Sequence, residues 1–577
     1  MRSGADRLAK HPCIALAIKA LPIWNNIRHA ALPIASRSTY LNLSSSNIDC
    51  LLKMHDFSTG SRSLSGRTLS RLIGLACSIA FILFGYEQGV MGGVITGPAF
   101  TKQFPSINTT TAKGNTQLQG FTVASYNIGC WAGSLLTMFI GDRFGRKRTI
   151  IIGASVLAVG TVIQCSSYSL AQLIVGRIIT GTGNGIITST IPVWHAELSK
   201  AQSRGKFITT ELSTNVGGVA VAYWVDYGMS YVDNGAQWRF PIALQVFFAV
   251  STILILIPLP ETPRWLVKQD KRDEALEILT RLHASDSVAD AQRDLLEIEA
   301  ALYEERIAQA KLNAQGPIRT IFSNGEQRFF YRTMLGVGGM VMQQLSGINL
   351  VTYYAPYIFI KSVGFSTRLS ALMSGFLSLF YYLSTLIPIF IIDRVGRRIL
   401  LLCGLIGMGI FMFVLAGTTS VVSFAPGIVA TVSLFAYDFF FGVGWIPGPW
   451  LLTPEYAPLT IRSQAAALAT SSTWIFTFLV AEITPIAISN IEWRTYLIFG
   501  CLNFAFFPII YFFYPETKGK TLEQIDLLFT GPKILINVSD EEMARMQQRQ
   551  LEQVIDHKAI DLKDTAHMTQ AKHVEEA

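Results

Sequence analysis

Gln343, Gln344 and Asn349 each carry a hydrogen-bond donor and an acceptor on one short side chain. A solute covered in hydroxyl groups needs both, so three such amides within seven residues form a candidate binding group. Spacings of six and five residues place them on neighbouring parts of one helix face, and Tyr353 and Tyr354 extend the same helix. The competing use of such amides is to bond helices to one another inside a membrane. Glu87 is the second candidate. It sits in Gly85-Tyr86-Glu87-Gln88-Gly89, within an apolar run, where an ionisable group is costly and is a functional candidate by default. Its chemistry would be proton exchange, because a carboxyl takes up a proton when desolvated and releases it beside a cation. A fixed ion pair that only joins two helices is the alternative.

These residues need elements that can hold them at depth. Half of the 577 residues are hydrophobic and only 15% are charged, against roughly a quarter charged in soluble proteins. Runs such as 240–259, 369–392 and 494–514 hold roughly 20 mostly apolar residues, enough to cross about 30 Å of hydrocarbon as a helix. The pattern predicts twelve spans, near 72–96, 119–140, 149–166, 170–192, 207–225, 240–259, 332–360, 369–392, 399–417, 424–451, 463–488 and 494–514. Helices are required, since a lone strand would leave its backbone unpaired in lipid. The expected class is therefore an all-α membrane protein.

The net charge of +8 is no sign of nucleic-acid binding, because residues 1–71 carry ten Lys/Arg against three Asp/Glu. Other basic residues gather in short loops: Arg143, Arg146, Lys147 and Arg148, then Arg394, Arg397 and Arg398. The positive-inside rule places these loops, both termini and the 260–331 segment in the cytoplasm. The seven cysteines are scattered, with no pair at metal-ligand spacing. Cys77, Cys130, Cys165, Cys403 and Cys501, in or near spans, read as packing residues. Residues 1–53 are basic and poor in acids, which faintly resembles a transit peptide. A dispensable cytoplasmic extension, with Met54 as a possible internal start, is the favoured expectation.

The chain also repeats itself. Gly141-Asp142-Arg143-Phe144-Gly145-Arg146-Lys147 reappears as Ile392-Asp393-Arg394-Val395-Gly396-Arg397-Arg398. Glu197 precedes Arg204 by seven residues, as Glu455 precedes Arg462. Pro260-Glu261-Thr262 returns as Pro515-Glu516-Thr517. The offsets are about 251, 258 and 255 residues, which implies two parallel halves of six helices. Proteins built this way place a solute site between the halves near the midplane. The expected organisation is a basic tail (1–71), a six-helix half (72–259), a helical linker (260–331), a second half (332–514) and a charged tail (515–577). Ala275, Leu276, Ile278, Leu279, Leu295, Leu296 and Ile298 are expected on the apolar faces of the linker helices.

With these motifs in place, residues 70–530 resemble the sugar porters of the major facilitator superfamily, most closely the fungal ones. The resemblance rests on Arg177 with Gly181, Gly183 and Gly185; on Pro192 to Glu197 with Arg204-Gly205; on Pro260-Glu261-Thr262-Pro263-Arg264-Trp265-Leu266; on Gln343-Gln344-Leu345-Ser346-Gly347-Ile348-Asn349; and on Pro515 to Leu522. It implies the major facilitator fold and alternating access for a sugar or polyol. Gln343, Gln344, Asn349, Tyr353, Tyr381 and Trp450 would then contact substrate, the flat ring of Trp450 suiting the C–H face of a pyranose. It implies that Glu87 faces Arg177, as in proton-coupled relatives, and that protons are co-transported. Asp142, Arg143, Arg146, Glu197, Arg204, Asp393, Arg394, Arg397, Glu455 and Arg462 resemble a cytoplasmic gate whose acids pair with arginines of other helices.

Departures from the family pattern put glucose itself in doubt. Tyr381 replaces an asparagine, Gly442 an acid and Thr477 a further asparagine, and a fifth-span glutamine falls near Glu211 or Leu212. A disaccharide, pentose, polyol or cyclic acid such as quinate fits this sketch. Gly444, Pro447, Gly448 and Pro449 would break the tenth span. No cofactor, metal or enzyme motif is expected: Gly519-Lys520-Thr521 lacks the earlier glycine of a phosphate loop, with Tyr514 in its place. Uncoupled facilitation and a non-transporting sugar receptor are the rival functions. A monomer in the plasma membrane is expected. Asn108-Thr109-Thr110 is a glycosylation acceptor in an external loop, whereas Asn42 and Asn537 would be cytoplasmic and unused.

Overall fold

The computed structural model describes residues 65–529, apart from 110–113, 200–203, 284–287, 316–321, 324, 326, 422–423, 459–460 and 521, together with a few positions between 536 and 545. Side chains at some further helical positions, among them Arg204, are outside the described residues. So are the 1–53 extension, Met54, Asn42 and Asn537.

Twelve long helical segments follow one another. The first six are α1 (Gly66–Val94), α2 (Thr116–Phe144), α3 (Arg146–Cys165), α4 (Leu170–Leu198), α5 (Arg204–Met229) and α6 (Ala236–Leu256). The second six are α7 (residues 329–363, in four pieces), α8 (Thr367–Leu386 continued by Pro388–Val395), α9 (Arg397–Thr419), α10 (residues 424–456, interrupted), α11 (Arg462–Ile491) and α12 (Arg494–Phe513). No strand occurs among the described residues. Large apolar side chains such as Phe247, Leu254, Phe390 and Phe512 are more than half exposed on the outer surface. Such residues suit a hydrocarbon surround, where every backbone group is already bonded within its helix.

The two halves repeat in packing as well as in sequence. In the first, α1 packs on α5, α2 and α3 on α4, and α3 on α6. In the second, α7 packs on α11, α8 and α9 on α10, and α9 on α12. The halves meet where α2 touches α11, α5 touches α8 and α1 touches α7. Nine helices among the described residues are long and apolar enough to cross a membrane by composition alone. The other three, α2, α5 and α7, all lie at the contact between halves. Polar residues buried in them, among them Asn127, Asn215 and Gln343, lower their mean hydropathy.

Local sequence explains the closest packing. Along α4, Gly181 abuts the backbone of α2 at Tyr126, Gly183 that of α3 at Leu157 and Gly185 that of α2 at Cys130. A Cβ at any of the three would collide with main-chain atoms, so small residues set these helix spacings. Between the halves run the helices Pro263–Lys268, Arg272–Leu282 and Val288–Gln315. Ala275, Ile278, Leu279 and Leu295 are buried as the periodicity requires, and Leu276 and Ile298 partly so. Leu296 is 58% exposed; it follows Leu295 directly and so points about 100° away from the buried stripe.

Candidate functional site

The repeated motifs meet at the end of the helices that carries the linker, here called the linker face. Gly145 ends α2 at φ 86° and Gly396 ends α8 at φ 107°, left-handed positions that favour glycine. Each turn exposes the first backbone N–H groups of the next helix. Glu261 accepts from the N–H of Arg146 at 3.0 Å and of Lys147 at 3.1 Å. Glu516 accepts from the N–H of Arg397 and of Arg398, both at 3.1 Å. Each glutamate thus places its carboxylate at a helix N-terminus, where free N–H groups and the helix dipole favour an anion. Burial pushes the Glu261 carboxyl up from its ordinary value, against the pull of the backbone N–H groups of Thr262, Lys147 and Arg146.

Arg146 reaches Asp142 at 2.9 Å and Glu197 at 3.6 Å, and Arg397 reaches Asp393 at 3.0 Å and Glu455 at 3.6 Å. The acids therefore pair with an arginine of an adjacent helix, Asp142 and Asp393 with the one that follows and Glu197 and Glu455 with the one that precedes, and each three-residue chain stays within one half. Asp142 also meets Lys268 of the linker at 2.7 Å. Burial of Asp142 is outweighed by Lys268 and Arg146, which hold its carboxyl below the usual value. Arg462 donates to the Ala457 carbonyl at 3.1 Å. Arg143 and Arg394 are exposed, and the Arg394 carbonyl accepts from Lys518 at 2.5 Å.

A cavity lies between the halves. About 630 Å³ of empty space, part of it open solvent, lies among walls drawn from α1, α5, α7, α8, α10 and α11. Gln343, Gln344, Asn349, Tyr381 and Trp450 line it, with Thr477. The amides come together differently from the sequence expectation of one continuous helix face. The helix α7 breaks between Gln344 and Ile348 into a turn of π-helix, with Gly347 at φ 106°. That turn closes over five residues, so Gln344 and Asn349 face each other. Asn349 donates to Gln344 Oε1 at 2.7 Å, and Thr477 of α11 donates to the same oxygen at 3.0 Å. Gln344 donates to Gln343 Oε1 at 3.1 Å, and Gln343 to the Trp445 carbonyl at 2.6 Å. In α10 the expected break is a second π-turn, Phe441–Trp445, which leads into Pro447.

Tyr353 does not line the cavity. It is fully buried one turn beyond Asn349, and its hydroxyl donates to Asn127 of α2 at 3.3 Å. Tyr354 is also fully buried and donates to the Ala481 carbonyl of α11 at 2.8 Å. Both tie α7 to neighbouring helices on the side of the cavity away from the linker face. Gly92 of α1 lies there too, and a Cβ on it would stand 2.9 Å from the Tyr353 carbonyl oxygen.

Sequence reasoning missed four polar wall residues, the amides Gln88 and Asn215 and the hydroxyls Thr352 and Thr473. The Asn215 side-chain nitrogen is buried without a hydrogen-bond partner. The signal available was an amide within an otherwise apolar span. The fifth-span ambiguity resolves in favour of Leu212, which lines the cavity, while Glu211 pairs with His195. One turn before Gly442, Asp438 is 2% exposed and its Oδ1 has no partner.

Glu87 and Arg177 are both fully buried, inside the first half and outside the cavity wall. Arg177 stands 3.6 Å from Glu87 Oε1, and neither Glu87 oxygen has a hydrogen-bond partner. Arg177 also donates to the Val123 carbonyl at 2.8 Å and lies over the Tyr126 ring at 5.5 Å. Val123 and Asn127, the partners of Arg177 and Tyr353, lie one turn apart on α2. Asn108 is half-buried in the segment between α1 and α2, and Thr110 is outside the described residues.

The duplicated six-helix architecture with a polar cavity between halves defines a transporter fold, and comparison with known proteins makes this specific. The family described as "Sugar (and other) transporter" matches residues 73–529. The chain belongs to this sugar transporter family of the major facilitator superfamily. It is 36% identical to the sugar transporter STL1 of Saccharomyces cerevisiae, over 81% of this chain and 82% of that one. It is 34% identical to the MFS-type transporter oryC of Aspergillus oryzae, covering 83% and 88%. Among solved structures it is similar to the proton:xylose symporter XylE bound to 6-bromo-6-deoxy-D-glucose. There the TM-score is 0.67 at 28% identity, covering 80% of this chain and 99% of that one. An inward-open form of XylE from E. coli superposes with a TM-score of 0.65 at 28% identity, covering 79% and 99%.

Proposed function

We propose that the protein carries a sugar or sugar-like polyol across a membrane by alternating access, driven by protons. The observation that carries this reading is the amide chain in the cavity. Gln343, Gln344, Asn349 and Thr477 are linked to one another, so each is oriented before a solute arrives. Asn215 brings an unpaired donor to the same wall, and Trp450 and Phe84 supply flat apolar surface. A sugar needs this mixture of oriented hydrogen-bonding groups and ring faces.

Protons would enter through Glu87. Its pairing with Arg177 is long and otherwise unsatisfied, and a buried ion pair of this kind is easily exchanged for a neutral carboxyl. Protonation frees Arg177, and the change reaches the cavity by two routes. One is α1 itself, through Gln88. The other is Tyr353, which joins α7 to α2 beside the pair. In this reading Tyr353 transmits between proton and sugar and does not touch the sugar.

The linker face is the cytoplasmic face in this proposal, with both termini, the 260–331 linker and the basic loops inside. The domain limits are those expected from sequence, and Asn108 carries an N-glycan outside. The two chains Asp142–Arg146–Glu197 and Asp393–Arg397–Glu455, with Arg143, Arg394, Arg204 and Arg462, form the cytoplasmic gate. The membrane is the plasma membrane, and one chain suffices.

The test is uptake in a yeast strain lacking its own sugar carriers, with a labelled panel of hexoses, pentoses, disaccharides, polyols and quinate. Accumulation that collapses with a protonophore supports symport. Uptake that only equilibrates and ignores the protonophore replaces symport with facilitated diffusion. Absence of any uptake, with the protein at the surface, overturns transport.

A further inference from the structure

Cys77 of α1, His195 of α4 and Glu211 of α5 converge inside the first half, near its linker face. The thiol sulfur, a ring nitrogen of His195 and a Glu211 carboxylate oxygen all lie within 4.8 Å of one another. The three residues are 1%, 6% and 3% exposed. His195 Nδ1 and Glu211 Oε1 are in direct contact, and the imidazole packs against Phe207 with ring centres 4.6 Å apart. No other group of three such side chains comes together in this way among the described residues. Neither the cavity wall nor the Glu87–Arg177 pair uses them.

We propose that Cys77, His195 and Glu211 form a binding site for one transition-metal dication of the zinc class. Charge is the first argument. A thiolate and a carboxylate carry two negative charges and a neutral imidazole none, so a dication gives a neutral complex. An apolar interior accepts that at far lower cost than any unbalanced ion. Ligand type is the second. Sulfur and imidazole favour zinc, cobalt or copper over magnesium and calcium, whose preferred ligands are oxygens. Three protein ligands leave the fourth tetrahedral position for a water. On binding, the Cys77 thiol gives up its proton to solvent, a metal–sulfur bond forms, and no electron is transferred. The direct His195–Glu211 contact is then exchanged for two bonds to the metal.

Position gives the site its consequence. His195 lies two residues before Glu197, which pairs with Arg146 at the linker face. A metal held by α1, α4 and α5 fixes the end of α4 that carries Glu197. Bound metal would therefore stiffen the first half and slow any rearrangement there.

The test uses the purified full-length protein, stripped of metal and titrated with Co²⁺ and then Zn²⁺. The expected result is one Co²⁺ per chain, with thiolate-to-metal charge-transfer absorption that Zn²⁺ abolishes by displacement. Cys77→Ser should lose that absorption. His195→Gln and Glu211→Gln should weaken Co²⁺ binding by about tenfold or more. A wild-type protein without the absorption overturns the site, as does absorption retained in Cys77→Ser. Should Cys77→Ser not fold, a monodisperse His195→Gln protein decides the matter, and unchanged Co²⁺ affinity in it overturns the proposal.

Discussion

Glu87 and Arg177 face each other across 3.6 Å with no exposed surface on either side chain, and neither Glu87 oxygen has a hydrogen bond. A pair held for rigidity alone would gain from closer, better satisfied contacts. Glu87→Gln keeps the shape and removes the proton site. Accumulation against a gradient should fall by about tenfold or more, while exchange of labelled for unlabelled sugar continues. Loss of both activities in a protein that reaches the membrane would make Glu87 structural.

Proton coupling also fixes a pH response. In the proposed symport the proton is a co-substrate, so wild-type uptake at low sugar should decline as external pH rises, by up to about tenfold per unit where proton binding limits the rate. Glu87→Gln should flatten the profile. A wild-type profile as flat as that of the variant would speak against coupling through this carboxyl.

Gln344 is the hub of the cavity wall, accepting from both Asn349 and Thr477. Gln344→Ala removes the proposed sugar partner and strands two donors. A lost hydrogen bond that leaves a buried group unpaired costs about 1–3 kcal/mol, or roughly a 5- to 150-fold rise in KM. Thr477→Val should have a smaller effect. If KM is unchanged in Gln344→Ala, the amides hold helices together and do not bind sugar.

Tyr353 offers a sharper discrimination. Tyr353→Phe removes its bond to Asn127 and leaves the cavity wall intact. Coupling should loosen, with accumulation lowered while KM for downhill uptake changes by less than about twofold, since the lost bond is remote from the solute. A large KM change would return Tyr353 to the binding wall.

Asp142 gives a stability prediction. Burial opposes its charge, but Lys268 and Arg146 hold its carboxyl below its ordinary value. A depressed carboxyl adds stability above its unfolded value, and that stability is lost as pH falls through the lower, folded one. The Tm gap between wild type and Asp142→Asn should therefore be full at neutral pH and close in acid below that window. A gap independent of pH would show that Asp142 acts by packing.

Much of this was legible in the chain. The repeat spacing of Asp142 and Asp393, or of Glu261 and Glu516, gave two halves, because each motif does one local job twice. The cavity amides were legible as a cluster, but their arrangement was not. A π-turn depends on Gly347 and on packing against Met412 and Phe499, which periodicity does not report. Tyr353 was expected at the substrate because it extends the Asn349 helix. The helix instead turns it towards Asn127. Cys77, His195 and Glu211 were invisible as a group, since three helices bring them together and no spacing links them.

The carboxylate of Glu261 has a further implication for how the chain is made. It satisfies the start of α3 from 115 residues further along, and Glu516 does the same for α9 from 119 residues on. During synthesis the first turn of α3 must wait until the sixth helix and the residues after it have left the ribosome. Each half is thus fastened from its own trailing end, and a chain stopped just before Glu261 would contain all six helices with the fastening missing.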